Sequence, residues 1–189
     1  PPHFKDISSL ASWTVSTAKP GCSVPQLRAP STSLFWQSDG PQPHHLNIHF
    51  FKLVEIAGIR IYLDFDLDES YTPTKIAFLA GTGYNDLQEW CVMQFEQPRG
   101  WMDVDFSGQR RWPVLRAMLV QVQIRENHQN GKDTHLRGLQ IFAREKGVTG
   151  LRPDGRESHV DIPSKHVNGK RKPRTRLPEP QWDAVTMIR

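Results

Sequence analysis

HLNIHF (residues 45–50) sets Leu46, Ile48 and Phe50 in alternation with His45, Asn47 and His49, and IRIYL (59–63) repeats the pattern with Ile59, Ile61 and Leu63. Successive side chains of an extended strand point to opposite faces, so this period of two predicts two half-buried strands with a break at Gly58. Working outward, residues 75–80, 87–95, 101–106, 114–124 and 139–142 are further strand candidates. TPT, GTGYND, EQPRG, SGQRRWP and HQNGKD lie between them as turns. Residues 24–35 read as loop with one short helical turn. Seven or eight strands at this spacing, with no long amphipathic helix, predict an all-β fold, an antiparallel jelly-roll β-sandwich.

A chain of 189 residues, 37% hydrophobic and with six tryptophans, has enough apolar material for one core. No stretch approaches the ~20 apolar residues that span a bilayer. The start, PPHFKDISSL, lacks the pattern of a signal peptide and does not begin with Met, so residues upstream are expected to be missing. Cys22 and Cys91 are too few for a disulfide framework, and reduced thiols in an intracellular protein are expected.

Charge divides the chain at about residue 144. Residues 1–144 hold 14 Lys+Arg against 14 Asp+Glu, while residues 145–189 hold 10 against 6 and so carry the whole excess of +4. Nucleic-acid domains concentrate positive charge on the folded part, so neither nucleic acid nor membrane is expected as a partner. The Pro-, Gly- and charge-rich segment after Arg144 has no apolar periodicity and is expected to form a flexible tail beyond a domain at 5–144. It ends apolar, WDAVTMIR (182–189), a form that suits a docking peptide.

Three segments have the residue types for chemistry or recognition. DFDLDES begins like a calcium loop with Asp64, Asp66 and Asp68, but its sixth position is Glu69 where Gly is needed and its twelfth is Lys75 where a bidentate Glu is needed. Alternate acids there are expected on the solvated face of a strand. ENHQNGKDTHLR (126–137) is dense in groups that donate and accept hydrogen bonds, with Asn130-Gly131 as a turn at which Gly supplies positive φ. A metal site of His128, Asp133 and His135, a hydrolase pairing Asp133 with His135, and a polar recognition loop all remain open for it; no GxSxG elbow or reactive cysteine favours catalysis. The last three residues offer an aliphatic side chain, a guanidinium and a carboxylate, against the usual fraying of a terminus.

LFWQSDGPQPHHLNIHF (34–50), DESYTPTKI (68–76) and ENHQNGKDTHLRGLQIF (126–142), in that order, closely resemble the Doc-domain subunits of the anaphase-promoting complex, a ubiquitin ligase. The resemblance runs from about Ser8 to Ala143 and includes the Ile-Arg terminus; RAPSTSLFW departs from the family pattern. It implies a galactose-binding-like sandwich, no cofactor and no reaction of its own. The implied role is that of co-receptor, with a WD40 coactivator, for destruction boxes of substrates such as mitotic cyclins and securin, raising the number of ubiquitins added per encounter. By motif match, degron binding falls to Ser38 and Asp39, to Asp68, Glu69, Ser70 and Tyr71, and to Asn127, His128, Gln129, Asn130, Gly131, Lys132, Asp133, Thr134 and His135. Ile188 and Arg189 inherit anchoring to a TPR scaffold subunit, with a cullin-like subunit nearby. Nucleus and cytoplasm are the expected compartments, with GKRKPRTR (169–176) either an import signal or a solvated charge run. A discoidin-like sandwich holding a carbohydrate or small ligand is the alternative.

Overall fold

The computed structural model describes residues 4–104 and 114–144, all of them in one compact unit, Pro1–Val148. Strands dominate: β1 (Phe4–Asp6), β2 (Ala11–Val15), β3 (Trp36–Gln37), β4 (His44–Asp64), β5 (Pro73–Gly81), β6 (Gln88–Gln94), β7 (Arg99–Asp103), β8 (Leu115–Asn127), β9 (His135–Leu136) and β10 (Gly138–Arg144). Helix is confined to single turns, among them α1 (Val24–Leu27) and α2 (Phe65–Asp68). The expected jelly-roll sandwich is what forms.

One strand ties the two layers together. The first part of β4 pairs with β2 and β8, and its second part pairs with β10 and β7; the register slips between His49 and Val54. One layer therefore runs β2-β4-β8-β5-β6 and the other β1-β10-β4-β7, every pairing antiparallel. The expected break at Gly58 is corrected: the strand runs through it, and the glycine lies against the Phe142 side chain across the pair. The change of layer comes earlier, where the pairing with β8 is interrupted. DFDLDES is corrected as well, from strand face to the helical turn α2, whose Leu67 N–H is capped by the Asp64 carboxylate at 3.3 Å.

The alternation read from sequence supplies the core. Leu46, Ile48 and Phe50 from one half of β4 meet Ile59, Ile61 and Leu63 from the other, with Ile76, Phe78, Val122, Ile124 and Ile141 filling between. Trp36 is fully buried, with its indole N–H donating to the Thr17 carbonyl at 2.9 Å. That bond satisfies the one polar atom of the ring, so Trp36 adds a large apolar area without an unpaired donor. β8 is buried on four successive residues, Leu119 to Val122: Val120 and Val122 belong to the core, and between them Gln121 donates to Asn47 Oδ1 and accepts from Gln123 Nε2, both at 2.8 Å. Among the described residues no helix is long and apolar enough to cross a membrane, and Cys22 and Cys91 form no disulfide. The tail after Arg144, with Ile188 and Arg189, lies outside the described residues.

A strapped loop at one pole of the sandwich

β4 begins, and β8 and the β4–α2 connection end, at the same pole. This brings together the three stretches that sequence singled out: 38–44, 68–72 and 127–135. The connection from β8 to β9 turns at His128–Asn130, where Gln129 (φ 52°) and Asn130 (φ 56°) both adopt the left-handed conformation. That conformation costs a non-glycine residue roughly 1–2 kcal/mol, and asparagine tolerates it better than glutamine. Gly131 has an ordinary negative φ, so the expectation that it supplies positive φ is corrected. Its necessity is spatial: a Cβ there would overlap the Ser70 carbonyl oxygen.

The buried Asn127, His44, Ser38 and Thr134, with the exposed Gln42, hold this loop. Asn127 Nδ2 donates to the Gly131 and Asp133 carbonyls at 3.1 and 2.8 Å. His44 Nε2 donates to the Lys132 carbonyl at 2.6 Å, and Gln42 Nε2 to that of Gly131 at 3.0 Å. Ser38 and Thr134 bond reciprocally: the Thr134 N–H donates to Ser38 Oγ at 2.9 Å and the Ser38 N–H to the Thr134 carbonyl at 3.1 Å. The His128 N–H reaches the Thr72 carbonyl at 2.9 Å, while its ring meets the Glu96 carbonyl and lies against Phe65.

A second arrangement stands beside the loop. Asp68 is 3% exposed and receives both prongs of the Arg137 guanidinium, Nε and Nη2, at 2.7 Å each, with His135 Nδ1 donating to the same carboxylate at 2.8 Å. Arg137, 6% exposed, gives its remaining nitrogen to the Thr32 and Ser33 carbonyls at 3.1 and 3.3 Å. The His135 ring is stacked between Phe35 (4.1 Å) and Tyr71 (4.3 Å), and the Arg137 guanidinium also lies against Phe35, 5.1 Å from its ring centre. Burial alone would raise the Asp68 carboxyl, but the hydrogen bonds from His135 and Arg137 and the nearby guanidinium charge outweigh it and hold it below the usual carboxylate range.

The sequence-predicted residues therefore fall into two groups. Ser38, Asp68, Asn127 and Thr134 are buried and face inward as braces. Asp39, Glu69, Tyr71, Gln129, Asn130 and Lys132 are exposed, and Ser70, His128, Gly131, Asp133 and His135 are half-buried at the rim. The Asp133–His135 pair does not form: His135 bonds to Asp68, and Asp133 lies 3.4 Å from the Gly40 N–H. His128 and His135 turn to different partners, and among the described residues no three His, Cys, Asp or Glu side chains are placed to hold a metal ion. Sequence reasoning missed Arg137, Phe35, Gln42 and His44. Arg137 was within reach, because residues two apart on an extended segment share a face, which sets it beside His135.

A family model for anaphase-promoting complex, subunit 10 (APC10), matches residues 2–159 of the chain. The chain belongs to the APC10 family. Anaphase-promoting complex subunit 10 of Dictyostelium discoideum is 44% identical over 143 residues, 76% of this chain and 75% of that protein. The Homo sapiens subunit of the same name is 40% identical over 138 residues, 73% and 74% of the two chains. An APC10-family chain is thus a component of that ubiquitin-ligase complex. Solved structures give the fold independently. A family 32 carbohydrate-binding module of Clostridium perfringens NanJ, solved with galactose, superimposes with a TM-score of 0.61 at 11% identity over 74% of this chain and 98% of the module. A second such module, solved with GalNAc-β-1,3-galactose, gives 0.62 at 11% over 74% and 100%.

Proposed function

We propose that this APC10-family chain is the non-catalytic subunit through which the complex holds destruction-box substrates, acting beside a WD40 coactivator and raising the number of ubiquitins added per encounter. The observation that carries this reading is the pair of left-handed residues, Gln129 and Asn130, held at an exposed loop tip by buried straps. Strain of this kind persists only where the surroundings enforce it, and it concentrates where a surface must be presented in one shape. The chemistry on offer suits an extended, basic peptide. The Gln129 and Asn130 side-chain amides both donate and accept, as an unpaired peptide backbone requires. Glu69, Asp39 and Asp133 supply negative charge at the rim, and Tyr71, stacked on His135 and 39% exposed, supplies an aromatic face.

Each such contact is weak alone. Two modest sites on one peptide, one here and one on the coactivator, gain through effective concentration, which lengthens residence without any catalytic group. Ile188 and Arg189 are assigned to the TPR scaffold and the complex to nucleus and cytoplasm. The test is add-back to a ligase lacking its own subunit 10, scoring ubiquitins per substrate. Wild type is expected to restore long chains, and Asn130→Ala with Asp133→Ala to assemble without restoring them. Full activity of the double variant would remove the loop from the reading.

A further inference from the structure

RAPSTSLF (28–35) has no part in the co-receptor reading, yet it borders the site. The stretch carries one arginine, three hydroxyls and no acid, and it runs outside regular structure between α1 and β3 with Arg28, Pro30, Ser31, Ser33 and Leu34 exposed. Its own backbone bonds are long: the Ala29 N–H to the Gln26 carbonyl and the Leu34 N–H to the Ser31 carbonyl, both at 3.3 Å. A segment held in this way opens locally at little cost. Arg137 ties it to the pole by donating Nη1 to the Thr32 and Ser33 carbonyls, and Phe35 ties it there by stacking on His135. Within the stretch, the Ser33 N–H (3.3 Å) and Ser33 Oγ (2.6 Å) already converge on Ser31 Oγ. Arg28 lies over the Trp13 ring at 5.4 Å and enters no ion pair among the described residues.

We propose that Ser31 is a phosphorylation site for an arginine-directed protein kinase, and that its phosphate strengthens the hold of the neighbouring pole on a basic peptide. A kinase of this class reads a guanidinium three residues before the acceptor with its own carboxylates, and Arg28 with Ser31 offers that spacing on an exposed, loosely bonded segment. Thr32 and Ser33 have Ala29 and Pro30 at the same offset, so neither presents the charge. In the reaction Ser31 Oγ attacks the γ-phosphorus of ATP. The new O–P bond forms as the bond to the ADP oxygen breaks, and the hydroxyl proton passes to the kinase's carboxylate base. The product brings a charge of about −1.5 to −2 to a stretch that has no acid. The Ser33 N–H and hydroxyl are in place to receive it, and Arg28 has no competing carboxylate. Arg137 is already paired and buried, so it does not neutralise the phosphate. The new charge sits on the segment that carries Phe35 to His135 and adds to the negative rim of Asp39, Glu69 and Asp133. This coupling, unlike the modification itself, rests on the co-receptor reading.

The test treats the full chain, free and then assembled into a ligase lacking its own subunit 10, with ATP and the catalytic subunit of the cyclic-AMP-dependent kinase. Peptide mass spectrometry is expected to place phosphate on Ser31. Ser31→Ala is expected to remove it, and Arg28→Gln to slow its formation by about tenfold or more, the scale of a lost charge-assisted bond. Circular dichroism establishes that each variant folds. If Arg28→Gln does not, because Arg28 leaves Trp13, Arg28→Lys replaces it, keeping the charge without the planar fork. Phosphate confined to another acceptor, such as Thr175 in the basic run 169–176, overturns the assignment. So does modification of the free chain but not of the assembled one, since the segment is then covered. The phosphorylated ligase is expected to bind a lysine- or arginine-bearing destruction-box peptide about two- to threefold more tightly at low salt, with the gain shrinking as salt is raised. Kinase-treated Ser31→Ala is expected to show no gain. Equal or weaker binding after phosphorylation, with binding by the unmodified ligase intact, overturns the coupling alone. Failure of the unmodified ligase to bind through this subunit overturns the co-receptor reading and the coupling together.

Discussion

Two sets of opposite charges in this sandwich do different things. Lys75 and Glu126 pair across neighbouring strands at 3.0 Å, and Arg125 meets Glu89 at 2.6 Å, all four side chains substantially in solvent. Asp68 and Arg137 meet at similar distances but are almost wholly buried, with His135 sharing the carboxylate. Distance alone does not separate the two sets; water does. An exposed pair exchanges good hydration for a modest attraction that salt screens. A buried pair has given up its hydration, so each member depends on the other, and removing either strands a charge. The buried set sits beneath the one part of the surface offered here as a peptide site, which makes it a positioning device: it fixes His135, and through the stacked rings Tyr71 and Phe35.

The sharpest way to break that comparison is to remove one buried member. Asp68→Ala is expected to cost about 3–5 kcal/mol, because Arg137 loses both prongs of its partner with no water to replace them. Urea unfolding measures it. Asp68→Ala with Arg137→Met is expected to recover a large part, since no buried charge is then left unpaired. A cost below about 1 kcal/mol for Asp68→Ala would place the buried set with the surface pairs and end the distinction.

Acid tests the same carboxylate without mutation. Its folded pKa lies below the ordinary value, so the folded state holds its proton less tightly than the unfolded chain. The stabilisation is therefore complete above the unfolded value of about 3.9 and is lost as pH falls through the lower folded value. The urea midpoint of wild type is expected to drop through that window by more than that of Asp68→Asn. Parallel profiles for the two proteins would mean that Asp68 contributes nothing specific to acid stability.

The next effect is steric and local. Gly131→Ala is expected to cost about 1–3 kcal/mol, the usual range for forcing extra volume into a filled space, because its Cβ meets the Ser70 carbonyl. Since the loop tip moves with it, substrate binding in the add-back assay should fall further than the stability loss explains. Wild-type binding by Gly131→Ala would show that the tip's shape is not what the peptide reads.

Much of this was legible in sequence, for a physical reason. Period-two alternation is the direct imprint of a strand between core and solvent, so both halves of β4 and the strands over 75–80 and 114–124 could be placed from it. β3 and β9, two residues each, are too short to show a period, and β1, exposed on every residue, has no apolar face to reveal. The motifs NHQNGKDTH and DESYT located the pole but did not separate braces from presented groups. Asn127 and Asn130 are the same residue type three positions apart; one is a buried strap and the other an exposed tip. Only packing distinguishes them. Arg137 was overlooked because an arginine in an extended segment is ordinarily a solvated residue, and its partner lies 69 positions away.

The smallest expected effect sharpens the comparison from the other side. Glu126→Gln removes the charge opposite Lys75 while keeping the side chain's length and its ability to accept a hydrogen bond. Both partners are hydrated already, so the loss should lie within about 1 kcal/mol and shrink as salt is raised. Glu126 is also adjacent to Asn127, the strap of the loop, which makes the variant a control for position as well as for charge. If β8 transmitted surface electrostatics into the loop, Glu126→Gln would lower substrate binding without unfolding the sandwich. The expected result is unchanged binding, because Asn127 holds the loop through backbone carbonyls that do not sense the charge of its neighbour. A loss of binding as large as that of Gly131→Ala would mean that solvent-exposed charge shapes the site, and that burial is the wrong line on which to divide the molecule.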